Sequence, residues 1–389
     1  MAGVPRAFAD PSPGAPRYFV TLFLRGGIDG VLTIDPKVRA DVDPDIDVPY
    51  GPDDIVDAGN VQFGPHFAKL KPYASKMAVL KGFQVHVANH ESGAYQMLRM
   101  RTAVTANIPS LHEILGQRRE QPLASVVLGD LSSFDYSAGS IIAPTGGGGT
   151  TSLDAVDSLS DEELELLART YKKHLARYPS SGLSERDLRT KEHLSQVSAF
   201  FDRSKDIARF KAKDWGVSKD TAADLQRTLW FLENDMAKGV TVKIQFDWDS
   251  HFRNADKQAG ANGTFVSLLT KFLDELASRK NKFGSLADQT VLIVGSELGR
   301  FPVLNGNEGK DHFPETGLIV MGPGIKPGTY GQTAKRMQGM KTSMKTGKAD
   351  DVGGSKFELD DLGVTLMSMA GYRPEVYGYR GQRMAFLEG

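Results

Sequence analysis

Thr290-Val291-Leu292-Ile293-Val294-Gly295, running into Ser296-Glu297-Leu298-Gly299-Arg300, is the stretch that decides the fold. Its first six residues are apolar or β-branched with no polar alternation, the pattern of a strand buried on both faces. Such strands belong to sheets covered by helices on both sides, and an acid, Glu297, stands just past the end of this one. Tyr18-Phe19-Val20-Thr21-Leu22-Phe23-Leu24 repeats the arrangement, ending in Arg25-Gly26-Gly27-Ile28-Asp29-Gly30, a glycine-rich turn with one carboxylate. Further strands are expected at 77–83, 125–128, 240–246 and 316–322, with helices at 91–102 and 264–278 between them. From about 153 to 238 the pattern is helical. Ser160 and Glu163 form a capping box there, and amphipathic helices follow at 187–210 and 221–236. The expected architecture is α/β: a mostly parallel central sheet with helices on both faces, in a single domain over 18–389 that carries an inserted α-helical block.

The chain has 389 residues, with 47 Lys plus Arg against 48 Asp plus Glu, a net charge of −1 that argues against a nucleic-acid partner. No apolar run reaches the length of a membrane-spanning helix. Cysteine is absent, which excludes disulfides, thiolate metal sites, iron–sulfur clusters and a Cys nucleophile. A metal must then be held by Asp, Glu, His, Asn or hydroxyl groups. Ala7-Phe8-Ala9 before Asp10 fits the small-x-small rule of signal-peptide cleavage, and 11–16 is rich in Pro and Gly. Residues 1–17 accordingly read as a residual export signal and linker, placing the protein in the periplasm or outside the cell; the other reading is a chance match near an ordinary start. The glycine run 146–149 lacks the Gly-Lys-Ser/Thr ending of a phosphate loop and reads as a mobile loop.

Ligands of open α/β sheets sit at the carboxyl ends of strands. Asp29, the Asp249/His251 pair and Glu297 stand at such ends, and Asp311-His312 follows in the next loop. Asp249-x-His251 places both side chains on one face of an extended segment. Carboxylate with imidazole suits one or two divalent ions: zinc, manganese, iron or calcium. Two ions about 4 Å apart would clamp both oxygens of a phosphoryl transfer. Taken singly, Asp29 also reads as a turn cap, Glu297 as a partner of Arg300, and the other two pairs as surface loops.

Arg25-Gly26-Gly27-Ile28-Asp29-Gly30, Asn89-His90-Glu91, Trp248-Asp249-Ser250-His251, Ser296-Glu297-Leu298-Gly299-Arg300, Asn305-Gly306-Asn307 and Asp311-His312, in that order, resemble the bacterial "domain of unknown function 1501" family. That family is similar in fold to the alkaline phosphatase and sulfatase superfamily and is typically exported, often by the twin-arginine route. The resemblance implies metal ligation by Asp29, Asp249, His251, Glu297, Asp311 and His312, with Asp247 in reserve. In related phosphodiesterases a Thr nucleophile stands three residues before an Asn-His pair; His86 holds that position here, with Ser92 the nearest hydroxyl. Asn89 and His90 complete the expected catalytic group, with Arg25 and Arg300 as clamps for a tetrahedral anion. No formylglycine motif, Cys/Ser-x-Pro-x-Arg, is present, which excludes the usual arylsulfatase type.

The other histidines, His66, His112, His174 and His193, read as capping, packing or surface residues, and Trp248 as a wall of the site or a contact to substrate. Lys326, Lys335, Arg336, Lys341, Lys345, Lys348 and Lys356 make 326–356 a cationic loop, either solvated or a lid for an anion. The activity implied is an exported metal-dependent hydrolase of a phosphate or sulfate ester, acting on a small molecule or glycan. The alternatives are a non-catalytic metal- or ligand-binding protein on the same fold and a metal-dependent phosphomutase or transferase.

Overall fold

In the computed structural model the described residues are 15–102, 109–129, 140–143, 159–179, 184–208 and 210–389. The Ala7-Phe8-Ala9 site, the glycine run at 146–149 and the first residues of the expected helical block lie outside them.

Among the described residues, nine strands form the main sheet: β1 (Tyr18–Phe23), β2 (Met77–Gln84), β3 (Leu123–Leu128), β4 (Ser140–Ala143), β5 (Ala237–Lys243), β6 (Thr290–Gly295), β7 (Glu315–Met321), β8 (Gly328–Tyr330) and β9 (Phe357–Glu358). Their order is β8-β2-β7-β6-β1-β5-β3-β4, with β9 also on β2. All neighbours are parallel except those of β7, which runs against both β6 and β2. The carboxyl ends of β1, β2, β5 and β6 therefore share one edge. β1 is central, with Phe19 opposite Val291 on one side and Gly239 on the other.

Every residue of β1 and β6 is buried, as their unbroken apolar runs require. Alternation assigns the two faces: Tyr18, Val20 and Leu22 enter one core, Phe19 and Phe23 the other. Helices α1 (His90–Arg99), α2 (Leu111–Leu115) and α7 (Leu359–Met369) cover the second face. The first is covered by α5 (Lys219–Glu233) and α6 (Asn254–Ser278). Helices α3 (Asp161–Leu175) and α4 (Glu185–Ala208) pack on each other, with Tyr171 stacked on Phe201 at 5.5 Å. The Ser160–Glu163 capping box is present. Helix α5 belongs to the sheet's cover, since Leu225, Leu229 and Leu232 are fully buried in its core.

Helix α6 begins at Asn254, ten residues before the sequence expectation. Its first turns bury Asn254, Gln258 and Asn262 where apolar residues would be sought, so hydrophobic periodicity misses them. Trp248 lies inside the core and donates Nε1–H to Asn262 at 2.9 Å, so it is a wall. His66 contacts Asn262 at 3.1 Å, and His174 is exposed on α3. Among the described residues no helix is long and apolar enough to cross a membrane.

His112 is buried between the two central strands, 3.2 Å from Thr21 Oγ1 and 3.1 Å from Thr241 Oγ1. Burial pushes its pKa from 6.5 down to about 4. Between those values the unfolded chain binds a proton that the folded chain does not. This stabilisation is complete above the unfolded pKa and falls as pH drops through the folded one, by up to about 3 kcal/mol. Urea titrations across that window measure it, and His112→Gln is expected to lose less stability on acidification than the wild type.

Candidate metal centre

Two glycines after β1 let the strand ends meet. Gly26 (φ 120°) and Gly27 (φ 92°) occupy a backbone region that side chains disfavour. A Cβ on Gly26 would lie 2.6 Å from the Asp249 nitrogen, and one on Gly27 2.8 Å from Arg300 Nε. Gly26 N–H donates to Glu297 Oε1 at 2.9 Å and Gly27 N–H to Ser296 Oγ at 3.0 Å, tying the end of β1 to that of β6. The short ribbon pairing Gly299–Arg300 with His312–Phe313 then returns the chain to the same edge.

His90, Asp249 and His312 each offer one ligand atom there, all within 4.8 Å of one another. His90 Nε2 is 3.4 Å from Asp249 Oδ2, and His312 Nε2 is 3.6 Å from Asp249 Oδ1. His251 Nε2 adds a fourth donor, 3.2 Å from Asp249 Oδ1 and 3.0 Å from His312 Nε2. Each imidazole has its Nδ1 on an oxygen: His90 on Glu297 at 2.6 Å, His251 on Asp311 at 2.9 Å, His312 on the Ala88 carbonyl at 2.7 Å. A carbonyl only accepts, so His312 carries its proton on Nδ1 and its Nε2 lone pair faces the cluster. An ionised carboxylate imposes the same tautomer on His90 and His251.

Three lone pairs thus converge beside one carboxylate. His90 Nε2 is buried with no hydrogen-bond partner, and His251 and His312 bring two acceptor nitrogens within 3.0 Å. This arrangement fits a cation, since oxygen acceptors behind metal-bound imidazoles hold ring and tautomer in place. Burial opposes the charge on Asp249, but Arg300, donating at 2.6 Å, outweighs it and holds the pKa below the usual carboxylate range. The Glu297 hydrogen bond draws the His90 pKa upward. Burial lowers that of His312.

The remaining expected residues separate into distinct roles. Asp29 does not reach the cluster. Its Oδ2 takes Lys310 Nζ at 2.8 Å and Asn254 Nδ2 at 2.8 Å, and its Oδ1 accepts Val31 N–H at 3.1 Å. Glu297 is fully buried and has both oxygens engaged, Oε2 by the Ser296 hydroxyl at 3.0 Å, so it orients His90. Asp311 orients His251 in the same way, and Asp247 caps the turn by accepting Asp249 N–H at 2.9 Å. His86 pairs with Glu358 at 3.0 Å, Asn89 caps α1 by accepting Ser92 N–H at 2.8 Å, and Ser92 is exposed. Arg300 donates to the Gly26 carbonyl, to the Gly27 carbonyl at 3.3 Å, to the Lys310 carbonyl at 2.9 Å and to Asp249. Arg25, half-buried, has no hydrogen bond or ion pair among the described residues.

Sequence reasoning passed over Lys310, fully buried with Nζ also 3.1 Å from Asp47, and the amides of α6. Gln258 donates to the Gly27 and Trp248 carbonyls, both at 3.0 Å, and accepts Asp29 N–H at 3.2 Å. The spacing Asn254-x-x-x-Gln258-x-x-x-Asn262, one polar stripe on a helix, is the signal that would have found them.

An α/β protein with an imidazole and carboxylate cluster at the ends of its parallel strands is the class these features define. More narrowly, the chain belongs to the family described as "Protein of unknown function (DUF1501)", which matches residues 154–386. No curated protein matches it in sequence. Among solved structures it is remotely similar to the lipoteichoic acid synthase LtaP from Listeria monocytogenes (10% identity, 99% of this chain and 78% of that one, TM-score 0.45). A putative sulfatase from Bacteroides thetaiotaomicron (10% identity, 95% and 74%, TM-score 0.42) is similarly distant. So is a protein of the alkaline phosphatase superfamily from Vibrio parahaemolyticus (12% identity, 98% and 74%, TM-score 0.41).

Removing one member of a buried ion pair leaves the other charge uncompensated. Lys310→Met should therefore destabilise the fold by about 3–5 kcal/mol, read as a shift in the urea midpoint.

Proposed function

We propose that this protein is a metal-dependent hydrolase of phosphate or sulfate esters, with one divalent ion held by His90, Asp249, His251 and His312. The observation that carries the reading is the convergence of three imidazole Nε2 atoms, each backed by an oxygen at Nδ1, on the Asp249 carboxylate. A donor set this rich in nitrogen suits zinc, manganese or iron and disfavours calcium, which takes oxygen ligands. When bound, such an ion supplies Lewis acidity toward an ester oxygen.

The chain's own groups account for the rest. Glu297, Asp311 and the Ala88 carbonyl keep the three ring protons on Nδ1, so that all three Nε2 atoms remain donors. Arg300, held by three backbone carbonyls, keeps Asp249 ionised. Arg25 has its guanidinium uncommitted and would take two oxygens of a tetrahedral anion. Export to the periplasm or beyond belongs to the same reading and rests on Ala7-Phe8-Ala9.

A second reading, a metal-binding protein without catalysis, is favoured by one observation. His86, at the expected nucleophile position, is turned to Glu358 instead.

Metal analysis of the purified chain, followed by assay with p-nitrophenyl phosphate and p-nitrophenyl sulfate, tests both. One equivalent of zinc, manganese or iron is expected. His312→Ala and Asp249→Asn should lose the metal, with hydrolysis falling by at least about a hundredfold. Metal without hydrolysis of either ester would leave the binding reading. Failure to take up any of the three ions would remove both.

A further inference from the structure

A cavity of about 780 Å³ lies at the same edge of the sheet as the metal centre, at the carboxyl end of β2 and the start of α7. None of the residues lining it belongs to the metal cluster. Four cations from separate parts of the chain reach it: Arg101 after α1, Lys341 and Lys356 from the 326–356 loop, and Arg380 near the C-terminus. Three acids, Glu358, Asp360 and Asp361, line it as well.

The acids all have partners. Glu358 holds His86, and Asp360 Oδ2 accepts from the Thr102 nitrogen at 2.6 Å and hydroxyl at 2.8 Å. Asp361 accepts Glu358 N–H at 2.8 Å and Gln382 N–H at 2.6 Å. Two of the cations are also engaged: Lys356 with Glu315 at 3.2 Å, and Arg101 with the Tyr377 carbonyl at 3.1 Å and the Gly378 carbonyl. The side chains of Lys341 and Arg380 have no hydrogen bond or ion pair among the described residues. Lys341 and Arg380 are therefore the two uncommitted cations of the cavity.

The volume far exceeds that of an inorganic anion, and the walls mix apolar surface with the charged groups named above. Each Asp361 oxygen, with one hydrogen bond, keeps a second lone pair, which suits hydroxyl donors. We infer that this cavity is a second binding site, for a saccharide carrying a phosphate or sulfate, with the anionic group on Lys341 and Arg380 and the hydroxyls on the acidic wall. The inference is independent of hydrolysis at the metal centre.

Calorimetric titration of the purified full chain with glucose 6-phosphate and glucose 6-sulfate tests it, with glucose and inorganic phosphate as comparators. At least one of the two sugar esters should bind about tenfold or more tightly than either comparator. The Lys341→Ala/Arg380→Ala double variant should weaken that binding by about tenfold or more, the loss expected for charged hydrogen bonds. Both residues are exposed, and an unchanged melting temperature shows the variant is folded. Binding should persist in His312→Ala. No binding by either ester, or equal affinity in the double variant, would overturn the inference. Loss in His312→Ala would move the ligand to the metal centre, and phosphate binding as tightly as the esters would reduce the site to one for an inorganic anion; either result defeats it.

Discussion

The Glu297 carboxylate, fully buried just past β6, is the contact on which the rest of the site depends. It accepts the Gly26 N–H from the end of β1, the Ser296 hydroxyl from its own strand end and the His90 ring from the start of α1. A buried charge is tolerated only when its oxygens are matched in this way. Because the matching groups come from three elements, the same requirement sets their relative positions. His90 is thereby delivered to Asp249 with its proton on the far side of the ring.

A second buried network supports the opposite wall. Asp29 and Lys310 pair inside the protein, and Asn254 and Gln258 of α6 complete the hydrogen bonds of the turn after β1. Lys310 is followed directly by Asp311 and His312, and its N–H donates to the Ser250 carbonyl at 2.9 Å, beside Asp249 and His251. The loop that carries His312 is thus anchored by a cation that never reaches the cluster. Here polar groups do the positioning that apolar packing does elsewhere, because loops at a strand end have backbone groups to satisfy.

The strands were legible because burial on both faces leaves an unbroken apolar run, and each observed strand in the interior lies within a few residues of its expected place. The start of α6 was not, since the side chains it buries are amides. Among the expected ligands, Asp249, His251 and His312 meet, and His90, read as a catalytic residue, joins them as a donor. Asp29 and Glu297 do stand past the ends of β1 and β6. What spacing did not convey is that each oxygen of these acids already has a partner.

By itself the sequence determined the α/β class, the exclusion of cysteine chemistry and the strand ends at which acids and imidazoles gather. All of these follow from local composition and from a periodicity of two or 3.6 residues. The tertiary structure alone decided which of those groups face one another. Lys310 meets Asp29 across 281 residues of chain and His90 meets Glu297 across 207, and no local pattern encodes a pairing at that distance. An imidazole becomes a ligand or a helix-packing residue according to what lies behind its second nitrogen, and that neighbour is supplied by the fold.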